Sequence, residues 1–352
     1  MTLESFSLAR YRIPLESALP VGKQRIELRQ GLILQARIAD DQGDIHEHYV
    51  EVAPLSGLDR NGHTISGFSM ETLEEASDEL QNLLQAIIEG SLDLDSAAEL
   101  TKLASVAWGL SLLSAKIQQK LPVHHVPFEP VPLVVPREGE PDVMLRQRLS
   151  KLPENIHHIK IKVAQTSMAE ELQLIHLVQE LRPHAKLRLD ANQGFEFEEA
   201  EAFCACLPKG AIEYIEEPCR QWQKNRALFA TTGVPFALDE TLGRHPDFEP
   251  AADAYDSGLR ALVIKPMLCG SLPKLQQLVE QANNLGLRCV LSSSIESSLG
   301  IADILSVAAA LTPDDTPGVD TLTPFTKALI APYGDKTCLA FDSLTPVFTI
   351  RK

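Results

Sequence analysis

The sequence predicts an α/β barrel with a separate antiparallel region at its N-terminal end. Six short apolar or β-branched runs end near Lys162, Asp190, Glu216, Asp239, Lys265 and Ser292. Successive ends are 28, 26, 23, 26 and 27 residues apart, close to the length of one strand plus one helix in a parallel array. The evenness of this spacing and the lack of a glycine-rich nucleotide fingerprint favour a barrel over an open doubly wound sheet.

Length, charge and cysteine content narrow the classes of function. The 352 residues exceed the usual size of a single core. A formal charge of -16 argues against nucleic acid or an anionic membrane as the main partner and favours a small organic substrate. The scattered cysteines, the lack of an export-like start and the lack of a long apolar run predict a cytoplasmic protein with free thiols. Nothing in the sequence indicates an oligomeric state.

The N-terminal region predicts a meander followed by two helices. The first 55 residues alternate in short runs, with a turn at Asp40 to Gly43. A helix with Ser69 as its N-cap then runs until Gly90 can end it. A second helix is expected from near Asp95 to about Gln119, where small and apolar residues indicate burial. The proline-rich segment from Leu121 to Pro136 predicts a boundary.

The run from His157 to Val163 shows why the strand ends matter. In a strand, Lys160 and Lys162 share the face opposite to the isoleucines. On a sheet with one solvated face, these lysines would simply be exposed. In a barrel they project into the mouth, where the C-terminal strand ends surround the active site. Taken singly, each polar strand end could also cap a helix or join a salt bridge.

Three of the strand ends predict a metal site. Asp190, Glu216 and Asp239 end consecutive strands and supply hard oxygen ligands, which suit Mg²⁺ or Mn²⁺ rather than zinc. Lys162 precedes this arc and Lys265 follows it, an arrangement that fits enolate chemistry with a lysine base and a metal-stabilised oxyanion. Repulsion from neighbouring charges and partial desolvation are expected to lower the pKa of Lys162.

These residues stand in motifs that resemble the enolase superfamily, in its muconate-lactonizing branch and, within that branch, the o-succinylbenzoate synthases. The barrel motifs are K-x-K at 160–162, L-R-L-D-A-N at 187–192, I-E-E-P at 215–218, L-D-E at 238–240 and V-I-K-P at 263–266. Further matching stretches include E-V-A-P-L-S-G at 51–57 and S-S-S-I-E-S-S-L-G at 292–300. The resemblance spans nearly the whole chain.

The resemblance implies a (β/α)7β modified TIM barrel with an α+β capping domain. The capping domain would comprise residues 1–125, the barrel residues 126–325, and residues 326–352 would return to the capping domain. The resemblance also implies dehydration of a cyclohexadiene carboxylic acid in menaquinone biosynthesis. Mg²⁺ on Asp190, Glu216 and Asp239 would hold the substrate carboxylate, Lys162 would abstract the α-proton, and Lys265 would act as a cation on the opposite face.

Further site residues follow from the resemblance and from strand periodicity. Lys160 would tune its neighbour Lys162. Substrate contacts are expected from Ser292, Ser293 and Gly318, and from Arg29 within a mobile loop over residues 21–30. Arg188 and Asn192 lie two positions before and after Asp190, so they are expected in the second shell that orients the ligands.

Two rival functions remain open at this stage. An N-succinylamino acid racemase or dipeptide epimerase of the same superfamily would use the same two lysines. The sequence S-S-S-I-E at 292–296 lacks the D-x-D motif common in dipeptide epimerases. A barrel that only binds a metabolite would not need both lysines and all three carboxylates.

Two local features of the N-terminal region stay open. The histidines of His46–His48 are either exposed or a metal pair, and the insert Leu58–Ile65 leaves the shape of the nearby pocket open.

Overall fold

The computed structural model describes residues 2–22, 24–122, 131–245 and 247–352. The chain divides into two compact units. The first comprises Met1–Val126, Ile264–Val279 and Leu291–Lys352, and the second Pro127–Val263 and Glu280–Val290. The predicted domain boundary at residues 125 and 126 lies outside the described residues, and so does half of the proline-rich boundary segment.

The strands and helices follow one another in the order β1 (Thr2–Val21), β2 (Gln24–Ala39), β3 (Ile45–Val52), α1 (Leu73–Ile88), α2 (Leu94–Leu100), α3 (Ala104–Ile117), β4 (Leu133–Val134), α4 (Asp142–Leu149), β5 (His158–Lys162), α5 (Met168–Leu181), β6 (Lys186–Asp190), α6 (Phe197–Ala205), β7 (Ile212–Glu216), α7 (Asn225–Thr232), β8 (Phe236–Leu238), α8 (Glu240–Arg244), β9 (Leu259–Ile264), α9 (Pro266–Cys269), α10 (Leu272–Asn284), β10 (Arg288–Leu291), α11 (Ser298–Leu311), β11 (Ala328–Leu329), β12 (Cys338–Leu339) and β13 (Thr345–Arg351). No helix in the described ranges is long and apolar enough to cross a membrane.

The first unit is built on a four-stranded antiparallel sheet in the order β13-β1-β2-β3. The predicted meander is therefore correct, and the C-terminal strand β13 completes it by pairing with β1. The turn between β2 and β3 is set by Asp40, whose carboxylate accepts the backbone N–H groups of Gln42 and Asp44 at 2.8 and 3.0 Å.

The first helix begins three residues later than the sequence predicts. Thr72, and not Ser69, is the N-cap of α1, because Thr72 and Glu75 form a capping box that satisfies two otherwise unpaired N–H groups. The Ser69 hydroxyl instead accepts a hydrogen bond from the Leu55 N–H at 2.8 Å. Ser69 therefore ties the preceding loop to the end of the sheet.

The single helix predicted from Asp95 to Gln119 is two helices, α2 and α3. The chain is extended at Thr101, with ψ 144°, and the Thr101 hydroxyl accepts the N–H of Leu103. The carboxylate of Glu71 accepts the Ser105 N–H at 2.8 Å within the first turn of α3, which supports a new helix start. The predicted burial is correct, since every residue from 105 to 115 of α3 is buried.

Most of the predicted loop over residues 21–30 is strand. β1 continues to Val21 and β2 starts at Gln24, so this stretch forms the end of a long hairpin. The neighbouring insert is ordered by Asp59, which accepts the N–H groups of Asn61 and His63. Gln24 also binds Asp59 and the Thr64 carbonyl, which fixes the insert against β2.

The second unit carries most of a seven-stranded sheet in the order β10-β9-β8-β7-β6-β5-β4. Neighbouring strands from β4 to β9 are parallel. The strand ends predicted at six positions agree with the observed strands to within one residue. Ile159, Ile161 and Val163 are at most 1 % exposed, as expected for the apolar face of β5.

A buried carboxylate joins the sheet of the first unit to α11. Glu51, at the end of β3, accepts hydrogen bonds from the Tyr11 hydroxyl, the Ser297 N–H and hydroxyl, and the Gly300 N–H. The bonds to Ser297 and Gly300 measure between 2.6 and 3.1 Å. Glu51 thus satisfies the first turn of α11, whose unpaired N–H groups favour a negative charge.

Substitution of Glu51 tests how much this carboxylate contributes to stability. We expect Glu51→Gln to lower the free energy of unfolding by about 2 kcal/mol, because the amide presents an NH₂ group to buried donors. Urea unfolding measures the change. Glu47→Gln on the exposed part of the same strand is the control and should change stability by less than about 0.5 kcal/mol. Equal effects of the two substitutions would contradict this account.

Candidate active site

Two of the predicted catalytic lysines, Lys160 and Lys162, and two predicted carboxylate ligands lie at the ends of three adjacent parallel strands. Lys162 on β5 is in register with Asp190 on β6, and Asp190 is in register with Glu216 on β7. Because pairing in register places side chains on the same face, the three polar groups form a row along one edge of the sheet. The strand register therefore places Lys162, Asp190 and Glu216 side by side, and their catalytic and metal-binding roles stay predictions.

Both lysines bind Asp190. Lys162 Nζ lies 2.7 Å from Asp190 Oδ2 and 2.6 Å from Asn192 Oδ1. Lys160 Nζ lies 2.8 Å from the same Asp190 oxygen and 2.6 Å from Glu216 Oε2. One buried carboxylate thus accepts two ammonium groups, and Lys160 links it to a second carboxylate.

The charges in this row shift one another's pKa. Burial alone would raise the pKa of Asp190, but the ammonium groups of Lys160 and Lys162 outweigh it and hold that pKa below its ordinary value. Burial likewise opposes the charge of Lys160, yet the surrounding carboxylates raise the pKa of Lys160 well above its usual range. Lys160 is therefore a fixed cation that compensates the carboxylates.

The three predicted ligands have the chemistry of a magnesium site but are not gathered for coordination. Among the residues that the structure describes, no three His, Cys, Asp or Glu side chains are close enough to hold a metal ion. Burial, with repulsion from Asp190 and Asp239, raises the pKa of Glu216 to about 7 despite the nearby Lys160. Carboxylate oxygens are hard donors, and such donors fit Mg²⁺.

Acidic side chains that the sequence analysis left without a role support this row. Glu217 Oε1 accepts the backbone N–H groups of Asp239 and Thr241 at 3.0 and 2.9 Å, which fixes the backbone at the end of β8. Asn192 Nδ2 donates to Glu240 Oε1 at 2.7 Å. The signal was present in the sequence, since Glu217 and Glu240 are the second acids of the I-E-E-P and L-D-E motifs.

Asn192 lies where a second-shell residue would lie, whereas Arg188 does not. The Asn192 N–H donates to Asp190 Oδ1 at 3.2 Å, and its side chain bridges Lys162 and Glu240. Arg188 Nε instead binds Glu213 Oε2 at 2.6 Å, near the start of β7, and its guanidinium lies 5.5 Å from the centre of the Tyr214 ring. Its long side chain reaches toward the opposite end of the strands, and a role for Arg188 in orienting the ligands stays a prediction.

The remaining predicted residues belong to the first unit. Lys265 directly follows β9, and its carbonyl accepts the N–H groups of Leu268 and Cys269 in α9. Ser292 and Gly318 form an isolated parallel bridge, with Ser292 Oγ 3.1 Å from the Gly318 carbonyl. Ser293 Oγ lies 2.9 Å from Thr321 Oγ1. Ser292 and Gly318, which the sequence predicts at two late strand ends, therefore lie next to each other.

Arg29 has a different environment from the one predicted. Its side chain is buried, and its guanidinium donates to the backbone carbonyls of Gln30, Ala53, Pro54 and Ile295. A guanidinium used in this way fixes the backbone around it. Contact with substrate stays a prediction for Arg29.

His46 is exposed and binds Asp40 at 3.0 Å, which agrees with the interpretation of that histidine as an exposed polar residue.

Comparison with known proteins assigns the family. The model described as "MenC, N-terminal domain" matches residues 3–117, and "Enolase C-terminal domain-like" matches residues 144–332. An o-succinylbenzoate synthase of Klebsiella pneumoniae is 34% identical over 343 residues, covering 96% of this chain and 98% of the relative. The chain belongs to the o-succinylbenzoate synthase family of the enolase superfamily. Another o-succinylbenzoate synthase, from Yersinia pseudotuberculosis, is 34% identical over 337 residues and covers 95% of each chain.

Solved structures agree with membership of the o-succinylbenzoate synthase family. The o-succinylbenzoate synthase of Thermosynechococcus elongatus, complexed with magnesium in its active site, has a TM-score of 0.69 at 25% identity and covers 94% of this chain and 96% of its own. An N-succinyl Arg/Lys racemase of Bacillus cereus has a TM-score of 0.73 at 19% identity, with full coverage of both chains. The racemase shows the shared fold alone. The predicted family and fold class are confirmed.

The ion cluster around Glu213 gives a pH-dependent prediction for this o-succinylbenzoate synthase homologue. Burial opposes the Glu213 charge, but Arg188, Arg288 and His158 outweigh it and lower its pKa. A depressed folded-state pKa stabilises the protein above the unfolded-state value, and this contribution disappears as pH falls through the folded-state value. Glu213→Gln should therefore lower stability at neutral pH and flatten the loss of stability below about pH 4.3.

Thermal unfolding of both proteins at a series of pH values measures this effect. Glu198→Gln, an exposed position on α6, is the control and should follow the original curve. The explanation fails if the Glu213→Gln protein loses stability with acid as steeply as the original chain does.

Proposed function

We propose that this chain catalyses the Mg²⁺-dependent dehydration of 2-succinyl-6-hydroxy-2,4-cyclohexadiene-1-carboxylate to 2-succinylbenzoate in menaquinone biosynthesis. The placement of Lys162 carries the proposal: its amine ends β5, beside Asp190, with two oxygen acceptors at 2.6 and 2.7 Å. Once it has lost its own proton, an amine at this position can take a proton from a carbon atom next to a carboxylate. The o-succinylbenzoate synthase relatives supply the identity of the substrate.

Asp190, Glu216 and Asp239 would hold the magnesium ion. When bound, Mg²⁺ stabilises the negative charge that develops on the substrate carboxylate as the α-proton leaves. The burial of Asp190 and Glu216 supports this role, because their charges act in a medium that screens them weakly. Mn²⁺, a second hard cation, fits the same donors.

Lys162 acts as the base and then as the acid. As a neutral amine, Lys162 takes the α-proton, and the electron pair of the broken C–H bond enters the enediolate. In the next step that electron pair forms the ring double bond while the C–O bond to the hydroxyl breaks. In a syn elimination Lys162 returns its proton to the departing hydroxyl, which leaves as water, and aromatisation of the ring favours the product.

Two other lysines assist without exchanging the α-proton. Lys160 binds Asp190 and Glu216, so it holds the carboxylates in place and raises the density of positive charge beside Lys162. Lys265 would act as the cation on the opposite face of the ring. Ser292, Ser293 and Gly318 would bind the succinyl carboxylate through hydroxyl and N–H groups, and Arg29 is a further candidate for substrate contact.

Substitution of Lys162 tests the proposed reaction. Lys162→Ala should lower kcat at least about 10⁴-fold, since it removes both the base and the acid. Turnover of the cyclohexadiene acid with Mg²⁺ is followed by formation of the aromatic product. Lys186→Ala, an exposed lysine at the start of β6, is the matched control and should retain full activity.

The same preparation also separates the rival functions. If the protein racemises an N-succinylamino acid and forms no aromatic product, its assigned function changes from dehydration to racemisation. Absence of both reactions would favour a barrel that only binds a metabolite. Full dehydration activity in Lys162→Ala would overturn the assignment of the base.

Substitution of Glu217 tests how the proposed metal site is supported. In Glu217→Gln, the side-chain NH₂ either faces the NH₂ of Gln193 or displaces the N–H groups of Asp239 and Thr241. Loss of such support should lower Mg²⁺ affinity about 10- to 100-fold. Calorimetric titration with Mg²⁺ measures it, with Glu198→Gln as control. Unchanged affinity in Glu217→Gln would show that Glu217 does not orient the site.

A further inference from the structure

The first unit contains a cavity lined mainly by residues to which the proposed function gives no role. Its volume is about 190 Å³. Apolar side chains form much of the lining: Ile26, Leu28, Leu55, Leu58 and Ile65. Arg12, Gln30 and Ser56 supply polar groups. The volume lies below that of a pocket for a drug-sized ligand and suits a smaller molecule.

Strand pairing places this cavity on the face of the sheet opposite to the Arg29 side chain. Arg12 pairs with Gln30 across β1 and β2, while the next pair along is Ile13 with Arg29. Because successive side chains point to opposite faces, Arg12 and Gln30 share one face and Arg29 points to the other. Arg29 also borders the cavity, but its guanidinium is engaged by backbone carbonyls.

Three polar side chains along the cavity lack protein partners. Within the described ranges, the exposed Arg12 guanidinium and the half-buried Gln30 amide make no hydrogen bond or ion pair, so both can bind a ligand. The Ser56 hydroxyl oxygen is buried, again without a partner in the described part of the chain. Buried hydroxyl groups are nearly always hydrogen-bonded, so an unpaired one beside a cation and an amide indicates a place for a polar ligand group.

The wall of the cavity includes the insert that the sequence analysis could not place. Leu58 and Ile65, at the two ends of this insert, both line the cavity. The insert is held by the Gln24 side chain and by the Arg60 N–H, which donates to the Arg25 carbonyl at 2.8 Å. Leu58 is 66% exposed, so its side chain is accessible at the wall of the cavity.

We propose that this cavity binds a small organic carboxylate with a short aromatic or aliphatic body. A guanidinium can pair with both oxygens of a carboxylate, and the Gln30 amide and Ser56 hydroxyl can donate to them. The apolar lining matches the body of the ligand and disfavours inorganic anions. This site does not depend on the proposed dehydration.

Benzoate is the probe, and benzamide is the uncharged control of similar shape. Calorimetric titration in Mg²⁺-free buffer should give benzoate a Kd of about 1 mM or lower, with benzamide at least tenfold weaker. Arg12→Gln and Leu58→Ser should each weaken benzoate binding at least tenfold. Arg10→Gln, at another arginine of β1 that instead pairs with Glu74, should bind as the original chain does.

Two further measurements separate this site from the catalytic one. Arg12→Gln should dehydrate the cyclohexadiene acid with unchanged kcat and KM, and Lys162→Ala should bind benzoate normally. No saturable benzoate binding, equal binding of benzamide, or full binding by both Arg12→Gln and Leu58→Ser would overturn the proposal. Loss of benzoate binding in Lys162→Ala would assign it to the catalytic site and also overturn the proposal. Failure of the dehydration assay would leave the benzoate result intact.

Discussion

The second unit depends on compensation of buried charge at the ends of its parallel strands. Asp190 is 2% exposed and is stabilised as an anion only because two ammonium groups lie within 2.8 Å. Removing one member of such a group leaves an uncompensated buried charge, which is strongly unfavourable. The sheet register therefore has to bring Lys160, Lys162 and Asp190 together. The same requirement places a potential base next to potential metal ligands.

The first unit uses charged side chains in another way. Arg29 and Glu51 are both buried, and most of their hydrogen bonds go to backbone groups. Arg29 on β2 donates to the carbonyl of Ile295, and Glu51 on β3 accepts the N–H of Ser297. Two strands of the antiparallel sheet therefore hold the same short segment, one through a cation and the other through an anion. That segment follows Ser292 and Ser293. The segment that follows these serines is thus fixed by residues 266 and 246 positions earlier in the chain.

Much of the fold and the centre of the candidate site could be predicted because both follow from periodicity. The alternation in His157 to Val163 fixes which face carries the lysines, and even spacing fixes which strand ends are neighbours. Arg188 shows the limit of this reasoning. Period two gives its face correctly, but a side chain of that length can reach either end of the strand, and Glu213 attracts it to the far end.

Competing local hydrogen bonds explain the other differences from the sequence predictions. By residue type Ser69 is at least as good an N-cap as Thr72, and the partner Glu75 favours Thr72. The break at Thr101 depends on its own hydroxyl and on Glu71, more than thirty residues away from the helix start that it supports. A helix propensity is assigned to one residue at a time, so it does not include hydrogen bonds between two side chains or between a side chain and a distant backbone group.

The contact between Glu51 and Gly300 also limits how this chain can vary. A Cβ atom at position 300 would lie 2.5 Å from Glu51 Oε2 and 2.6 Å from the Glu296 side chain, closer than atoms approach without displacement. Any larger residue at 300 would push the carboxylate away from the N–H groups that it accepts. Positions 51 and 300 are separated by 249 residues, yet a larger residue at position 300 requires a change at position 51.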